Sequence, residues 1–378
     1  MTITIQEGRQ VWDILSILSV VGEFPFRSLH LIGGDALYQK IYKYMVKQTY
    51  RNPKTGEELT VKLLTVSGNG EQRTIRLFKR ALPLLGWLDA EEYYMDAFQN
   101  HKFSGAFNHI VRNHRAAEVT VIMKKLGLEY RPYIAQHSSD GEENAIYFNA
   151  RQIKTSAIEE MNKIAFTAML GVLFSGDTGY AIYNTRNSVM KWNGLGEFKA
   201  MYSLKEFARF YKPISKVESA IIFGFSEQKA FETIVASSGN NKADFLLNAV
   251  YRNVYFVPLD ENGVRLLRIF LVPNWREQLL SALFLDDTRS YDVGQFEYDA
   301  KENGVYYLSY FEGNIARLLR FREAVRILKC PFSVLCFPFQ APTSPIKKPS
   351  CLGRFFLIVY IFRSNRYNHT ARRPQTKV

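Results

Sequence analysis

The chain has 378 residues, 47% of them hydrophobic, and its 49 Lys/Arg against 36 Asp/Glu give a formal net charge of +13. That length is too great for a single typical core and calls for two domains, while the apolar content excludes a disordered chain. Residues 1–329 hold no cysteine, which excludes a disulfide framework or a thiolate zinc site there.

The first residues, Met1-Thr2-Ile3-Thr4-Ile5-Gln6-Glu7, have neither a basic leader nor an apolar core, so a cytoplasmic protein is expected. Residues 9–21 place Val11, Ile14, Leu15, Leu18 and Val21 at the spacing of one buried helix face. Phe24-Pro25 breaks the chain, residues 26–32 suit a short second helix, and Gly33-Gly34 breaks it again. Asp35 stands at an N-cap position before a third helix reaching about Gln48. On it Leu37, Ile41, Tyr44 and Met45 form one face, and Lys40, Lys43 and Lys47 form another by their spacings of three and four. A solvated lysine face has the same pattern. A strand over 61–66, a turn Ser67-Gly68-Asn69-Gly70 and a strand over 73–78 then make a basic hairpin. Three helices followed by such a hairpin is winged-helix organisation.

Charge is focused on this segment. Residues 27–80 hold eleven Lys/Arg against four Asp/Glu, whereas residues 81–340 hold 29 of each sign. The pattern points to double-stranded DNA. Lys40, Lys43 and Lys47 would face it from the helix, Arg51 from the segment that follows, and Arg73, Arg76, Lys79 and Arg80 from the wing.

Residues 1–100 are thus expected to form the winged helix and 101–144 a helical linker. Residues 145–340 are expected to form an α/β domain with a helix-flanked sheet, so the fold class is mixed α/β. In the linker, residues 113–126 read as a helix ended by Gly127. In the domain, strands at 168–174 and 180–183 flank the turn Ser175-Gly176-Asp177-Thr178-Gly179. Helices are expected at 204–211, 227–235, 276–284 and 313–328, and strands at 219–223, 253–257, 304–308 and 332–337. The neutral domain is expected to dock on a protein such as a relaxase or replication initiator, or on a second copy of the chain.

Residues 341–378 differ from the rest: they contain eight basic residues and no acid. Pro342, Pro345 and Pro349 rule out a continuing helix. The apolar run at 355–362 is too short to span a bilayer, which takes about 20 residues. The expectation is a tail outside the fold, translated past a frameshift or recombination junction, with a buried strand as the alternative.

Three stretches carry a resemblance. They are Thr74-Ile75-Arg76-Leu77-Phe78-Lys79-Arg80-Ala81-Leu82 at the wing's end, Arg112-Asn113-His114-Arg115-Ala116-Ala117-Glu118, and Tyr180-Ala181-Ile182-Tyr183-Asn184-Thr185-Arg186 with Met190-Lys191-Trp192-Asn193-Gly194. Residues 11–340 resemble the replication-relaxation family, most closely versions carried by conjugative and mobilisable elements of Gram-positive gut bacteria. The resemblance implies a DNA-binding accessory in plasmid replication, mobilisation or relaxation, without catalysis of its own and without a cofactor.

The resemblance also brings restriction-endonuclease-like folds to mind for the second domain. Asp177 with Glu197-Phe198-Lys199 is the constellation that could hold Mg²⁺ and activate water. A turn aspartate and a surface Glu/Lys pair explain the same residues. His101, His109 and His114 share one polar stretch but lack cysteine or nearby acids, so no metal site is expected. The readings that remain are a DNA-binding accessory, a Mg-dependent nuclease and a protein–protein adaptor.

Overall fold

The apolar stripe of residues 9–21 becomes helix α1 (Gln10–Val21), with Val11, Ile14, Leu15 and Leu18 buried. Its neighbours are strand β1 (Thr2–Thr4) and strand β2 (Glu23–Pro25). A computed structural model describes residues 2–128, 145–155, 167–211, 216–237, 246–290, 296–340 and 353–357. The second expected helix divides into a 3-10 turn, Phe26–Ser28, and α2 (His30–Gly33). Asp35 precedes α3 (Ala36–Tyr44), but its side chain makes no capping bond and its backbone is already helical.

The third helix stops at Tyr44 and does not reach Gln48. Lys47 and Gln48 belong to strand β3 (Lys47–Arg51), which pairs antiparallel with β4 (Glu58–Lys62) and parallel with β1. The reason lies in the switch of period: Tyr50 is buried between exposed Arg51 and half-buried Thr49, an alternation that suits a strand. The expected strand over 61–66 also divides. Leu63 is buried between β4 and β5 (Leu64–Ser67); its N–H donates to the Tyr44 carbonyl (3.0 Å) and its carbonyl accepts from Phe78 (2.9 Å). β5 and β6 (Thr74–Leu77) form the expected hairpin, and β2 adds to β6 in the order β2-β6-β5. The short helices α4 (Pro83–Gly86) and α5 (Glu91–Ala97) follow.

The helix expected at 113–126 begins earlier, as α6 (Phe107–Lys125). Gly127 ends it with φ +76°, the left-handed value glycine accepts without strain. α6 packs against α1, α2 and β2 and also against Thr178–Arg186 and Glu261–Phe270 of the second region, so it is a shared core helix.

The second region is mixed α/β. Its five-stranded sheet comprises β7 (Ile146–Asn149), β8 (Gly171–Ser175), β9 (Thr178–Arg186), β10 (Lys216–Gly224) and β11 (Asn253–Pro258). The β7–β8 and β8–β9 pairs are antiparallel; β9–β10 and β10–β11 are parallel. Helices α7 (Ala150–Thr155), α8 (Gly194–Tyr211), α9 (Glu227–Ser237) and α10 (Leu247–Val250) accompany it. Then come α11 (Glu261–Phe270) and α12 (Trp275–Leu283). Strands β12 (Ala300–Glu302), β13 (Val305–Ser309) and β14 (Phe332–Cys336) build a second sheet with α13 (Ile315–Leu328). Of the basic C-terminal stretch, Gly353–Leu357 pairs in parallel with β14 as edge strand β15, and its remainder lies outside the described residues.

One face of the five-stranded sheet, with Leu173, Ile182, Ile221 and Val257, joins the core that also contains α1 and α3. The other face, with Val172, Ala181, Ala220 and Ile222, packs on α8, α9 and α13. The two regions therefore share a continuous apolar interior through α6 and α11.

Helix α11 has no counterpart among the expected helices. Asp260 caps it by accepting from Asn262 (2.8 Å) and Gly263 (3.1 Å), and Val264, Leu267 and Phe270 face the core. A Cβ at Gly263 would stand 1.8 Å from the Pro258 carbonyl oxygen, so α11 approaches the end of β11 at a distance only glycine permits. Gly263→Ala is expected to destabilise the protein by about 3 kcal/mol through overpacking. Urea unfolding checks this, and a midpoint unchanged from wild type would refute the close-approach argument.

Candidate nucleic-acid interface

Helix α3 buries Leu37, Ile41 and Tyr44 and leaves Lys40, Tyr42 and Lys43 exposed. Lys47 follows at the start of β3, also exposed, so the expected lysine row continues across a change of backbone from helix to strand. Lys40, Lys43 and Lys47 form no ion pair with the described residues.

The nearby arginines are engaged. Arg51 pairs with Glu58 across β3–β4 (2.5 Å) and Arg27 pairs with Glu71 (3.0 Å). The Arg73 guanidinium lies 3.9 Å from the centroid of the Phe26 ring and 3.5 Å from the Tyr42 hydroxyl, which brings the start of β6 against the exposed face of α3. Arg76 points inward: its Nε and Nη2 donate to Glu23 Oε2 at 3.0 and 2.7 Å, and it covers Phe103 at 4.5 Å. Glu23 is fully buried, and Asn113 donates to its other oxygen at 2.7 Å. Lys79 and Arg80, by contrast, stand exposed in the 3-10 turn after β6. Phe78 N–H donates to Leu63, which fixes that turn beside the end of β4.

Behind this surface, the two internal stretches that carried the resemblance meet. Glu118 on α6 is buried and accepts from Arg186 Nε and Nη2, both at 2.7 Å. It also accepts from Ser28 (2.6 Å) and from Asn184 Nδ2 (2.9 Å). Arg112 donates to the Thr167 and Met169 carbonyls beside β8. Arg112 and Glu118 on α6 thus tie the lysine-bearing unit to the five-stranded sheet. Both nitrogens of the buried His114 ring lack a well-formed hydrogen bond, although the Glu71 backbone lies beside it. Burial, reinforced by Arg186, Arg27 and Arg76, pushes its pKa down to about 3.

The nuclease constellation is not assembled. Asp177 sits exposed in the β8–β9 turn, 3.5 Å from Lys216. Glu197 lies in α8, which starts ten residues before the expected helix, and it is buried rather than on the surface. It accepts from Ala168 N–H (2.6 Å) and from Tyr183 Oη (3.0 Å), six residues along β9 from Asp177, or about 20 Å of strand. Burial raises its pKa, against the lowering effect of those two hydrogen bonds and of Arg112. Lys199 is exposed on a different side of α8. Among the described residues no group of three or more His, Cys, Asp or Glu is placed to hold a metal. The three histidines are likewise separate in role: His101 bonds Tyr94 (2.7 Å), His109 is exposed and His114 is buried. No helix among the described residues is long and apolar enough to cross a membrane.

No family model, curated protein or solved structure matches the chain.

Two measurements follow from the buried network. Arg186→Ala leaves Glu118 charged and desolvated, so a loss of about 4 kcal/mol is expected in chemical unfolding. A loss below about 1 kcal/mol would show that water reaches Glu118. For His114, the folded pKa lies below the unfolded value, so the unfolded chain holds the extra proton between about pH 6.5 and 3. The neutral ring's contribution is complete above pH 6.5 and is lost as pH falls through that window. Between pH 7 and 5, wild type is expected to lose about 2 kcal/mol more than His114→Leu. Parallel losses in the two proteins would exclude this assignment.

Proposed function

We propose that the chain is a DNA-binding accessory protein that holds the phosphate backbone of a duplex against α3 and the adjoining strand ends. In this reading α1–α3 with the β5–β6 hairpin act as a winged helix-turn-helix. The observation that carries it is the division of the cations: Lys40, Lys43 and Lys47 form no ion pair with the described residues, while Arg27, Arg51 and Arg76 are tied to carboxylates. Exposed lysines on a helix and the strand that follows it are suited to neutralise phosphates without reading sequence. Arg73, held over Phe26, adds a charge at the same face, and Lys79 and Arg80 stand beside the end of β4.

In this reading, which follows the resemblance to the replication-relaxation family, the binding serves the replication or mobilisation of a plasmid or integrative conjugative element in the cytoplasm. There the larger α/β region would contact a relaxase, a replication initiator or a second copy of the chain. A nuclease activity finds no support in the positions of Asp177 and Glu197. The binding reading needs no cofactor.

The test is fluorescence anisotropy of the full chain with a labelled duplex across a salt series. Each lysine on a phosphate contributes about 0.9 to the slope of log affinity against log salt. The Lys40/Lys43/Lys47→Ala triple variant is therefore expected to flatten the slope by about 2.7 while remaining folded. Absence of binding by folded wild type at low salt would overturn the reading in favour of a protein–protein adaptor.

A further inference from the structure

The β3–β4 hairpin presents an exposed ladder whose rungs follow from its register. Arg51 faces Glu58 as an ion pair at 2.5 Å, and Thr49 faces Thr60 with their hydroxyls 2.9 Å apart. The third rung breaks the pattern, because Lys47 faces Lys62. Both are exposed, and neither forms an ion pair with the described residues. Directly opposed residues bring their Cβ atoms to about 5 Å, where like charges disfavour the pairing.

The rung's position is fixed. Lys62 precedes Leu63, whose N–H donates to the Tyr44 carbonyl at the end of α3 and whose carbonyl accepts from Phe78 just before Lys79. The lysine pair therefore stands where three elements converge: the end of α3 with Lys43, the open end of the hairpin, and the turn with Lys79 and Arg80. The opposite end of the hairpin, by contrast, is closed by a complementary Arg–Glu pair.

We infer that the Lys47–Lys62 rung is an oxyanion site that takes a backbone phosphate of the nucleic acid, with Lys62 as a binding residue beyond the α3 row. This rests on the duplex-binding reading for its biological ligand. A single phosphate between two ammonium groups turns a repulsive rung into an attractive one, so the site is unfavourable when empty and favourable when filled. A carboxylate at position 62 would do the reverse, pairing with Lys47 as Glu58 pairs with Arg51.

The test uses the full chain with Lys62→Glu and Lys62→Gln, and with Lys54→Gln in the hairpin turn as the control. Without ligand, Lys62→Glu is expected to melt about 1–2 °C higher than wild type. Inorganic phosphate is expected to raise the melting temperature of wild type and to leave that of Lys62→Glu unchanged. With a duplex, Lys62→Gln is expected to flatten the salt slope by about 0.9, and Lys54→Gln to leave it as in wild type. If wild type binds duplex and Lys62→Gln keeps the wild-type slope, the duplex phosphate does not occupy the rung and the inference falls while the α3 interface stands. If no variant binds duplex but phosphate stabilises wild type selectively, the oxyanion site stands on a free phosphate ligand and the nucleic-acid assignment falls. If Lys62→Glu neither melts higher nor loses the phosphate response, the site itself is refuted.

Discussion

The Glu118–Arg186 pair is the constraint on which the arrangement of this chain depends. A carboxylate with no exposed surface survives only if its lone pairs are occupied, and here four donor contacts reach it from two other elements. Ser28 comes from the turn before α2, Asn184 and Arg186 from the end of β9, and Glu118 itself from α6. Moving any one of these elements by an ångström would leave a buried charge short of a partner. The penalty makes the junction stiff, whatever its net contribution to stability. The Arg76–Glu23–Asn113 contacts repeat the arrangement five residues earlier on the same helix and fix strand β6 to it.

That stiffness bears on the outer surface, because the same segment that holds the interior also holds α3. Arginine and lysine are divided by place. Arginine, with its planar fork, takes the bidentate internal positions opposite Glu118 and Glu23, and lysine takes the exposed α3 face. A carboxylate already answers the guanidiniums of Arg27, Arg51 and Arg76, so their charge contributes little to the outer field. The positive excess of residues 27–80 is thereby presented mainly by lysines on a small area, on a scaffold that does not have to reorganise to receive an anion.

Much of this was legible before any coordinates. The stripe of Val11, Ile14, Leu15 and Leu18, the β5–β6 hairpin, the β8–β9 turn and the strand at Asn253–Pro258 all follow from spacing and turn chemistry. The α3–β3 boundary did not, since Met45 and Gln48 continue a helical spacing from Ile41 and Tyr44, and only pairing with β1 and β4 makes the strand. Nor could charge counting separate Lys43 from Arg76. A ledger of cations along the chain does not know that Glu23, 53 residues away, lies under one of them. Lys62 was invisible for the same reason: it is special because of the residue across the ladder. Glu197 was misplaced as a surface residue because its helix starts at Gly194, where two glycines suggest a loop.

Equal numbers of acids and bases over residues 81–340 admit two physical explanations, a surface mosaic or internal pairing, and the structure favours the second over much of the region. Asp299 is buried between Arg317 (2.8 Å) and Arg276 (2.7 Å), while Glu297 receives Arg252 and Arg320, both at 3.1 Å. Arg289 is held between Glu277 (2.7 Å) and Asp286 (3.1 Å). The two arginines hold the Asp299 carboxyl below the usual range despite its burial, so it stays ionised and the cluster neutralises itself. Charges cancelled at such short range leave little field at the distance of a Debye length, about 8–10 Å. Among the described residues a polyanion would therefore be steered chiefly by the lysine face with Lys62, Lys79 and Arg80 beside it, and any protein partner of the α/β region would have to be recognised by shape and apolar contact.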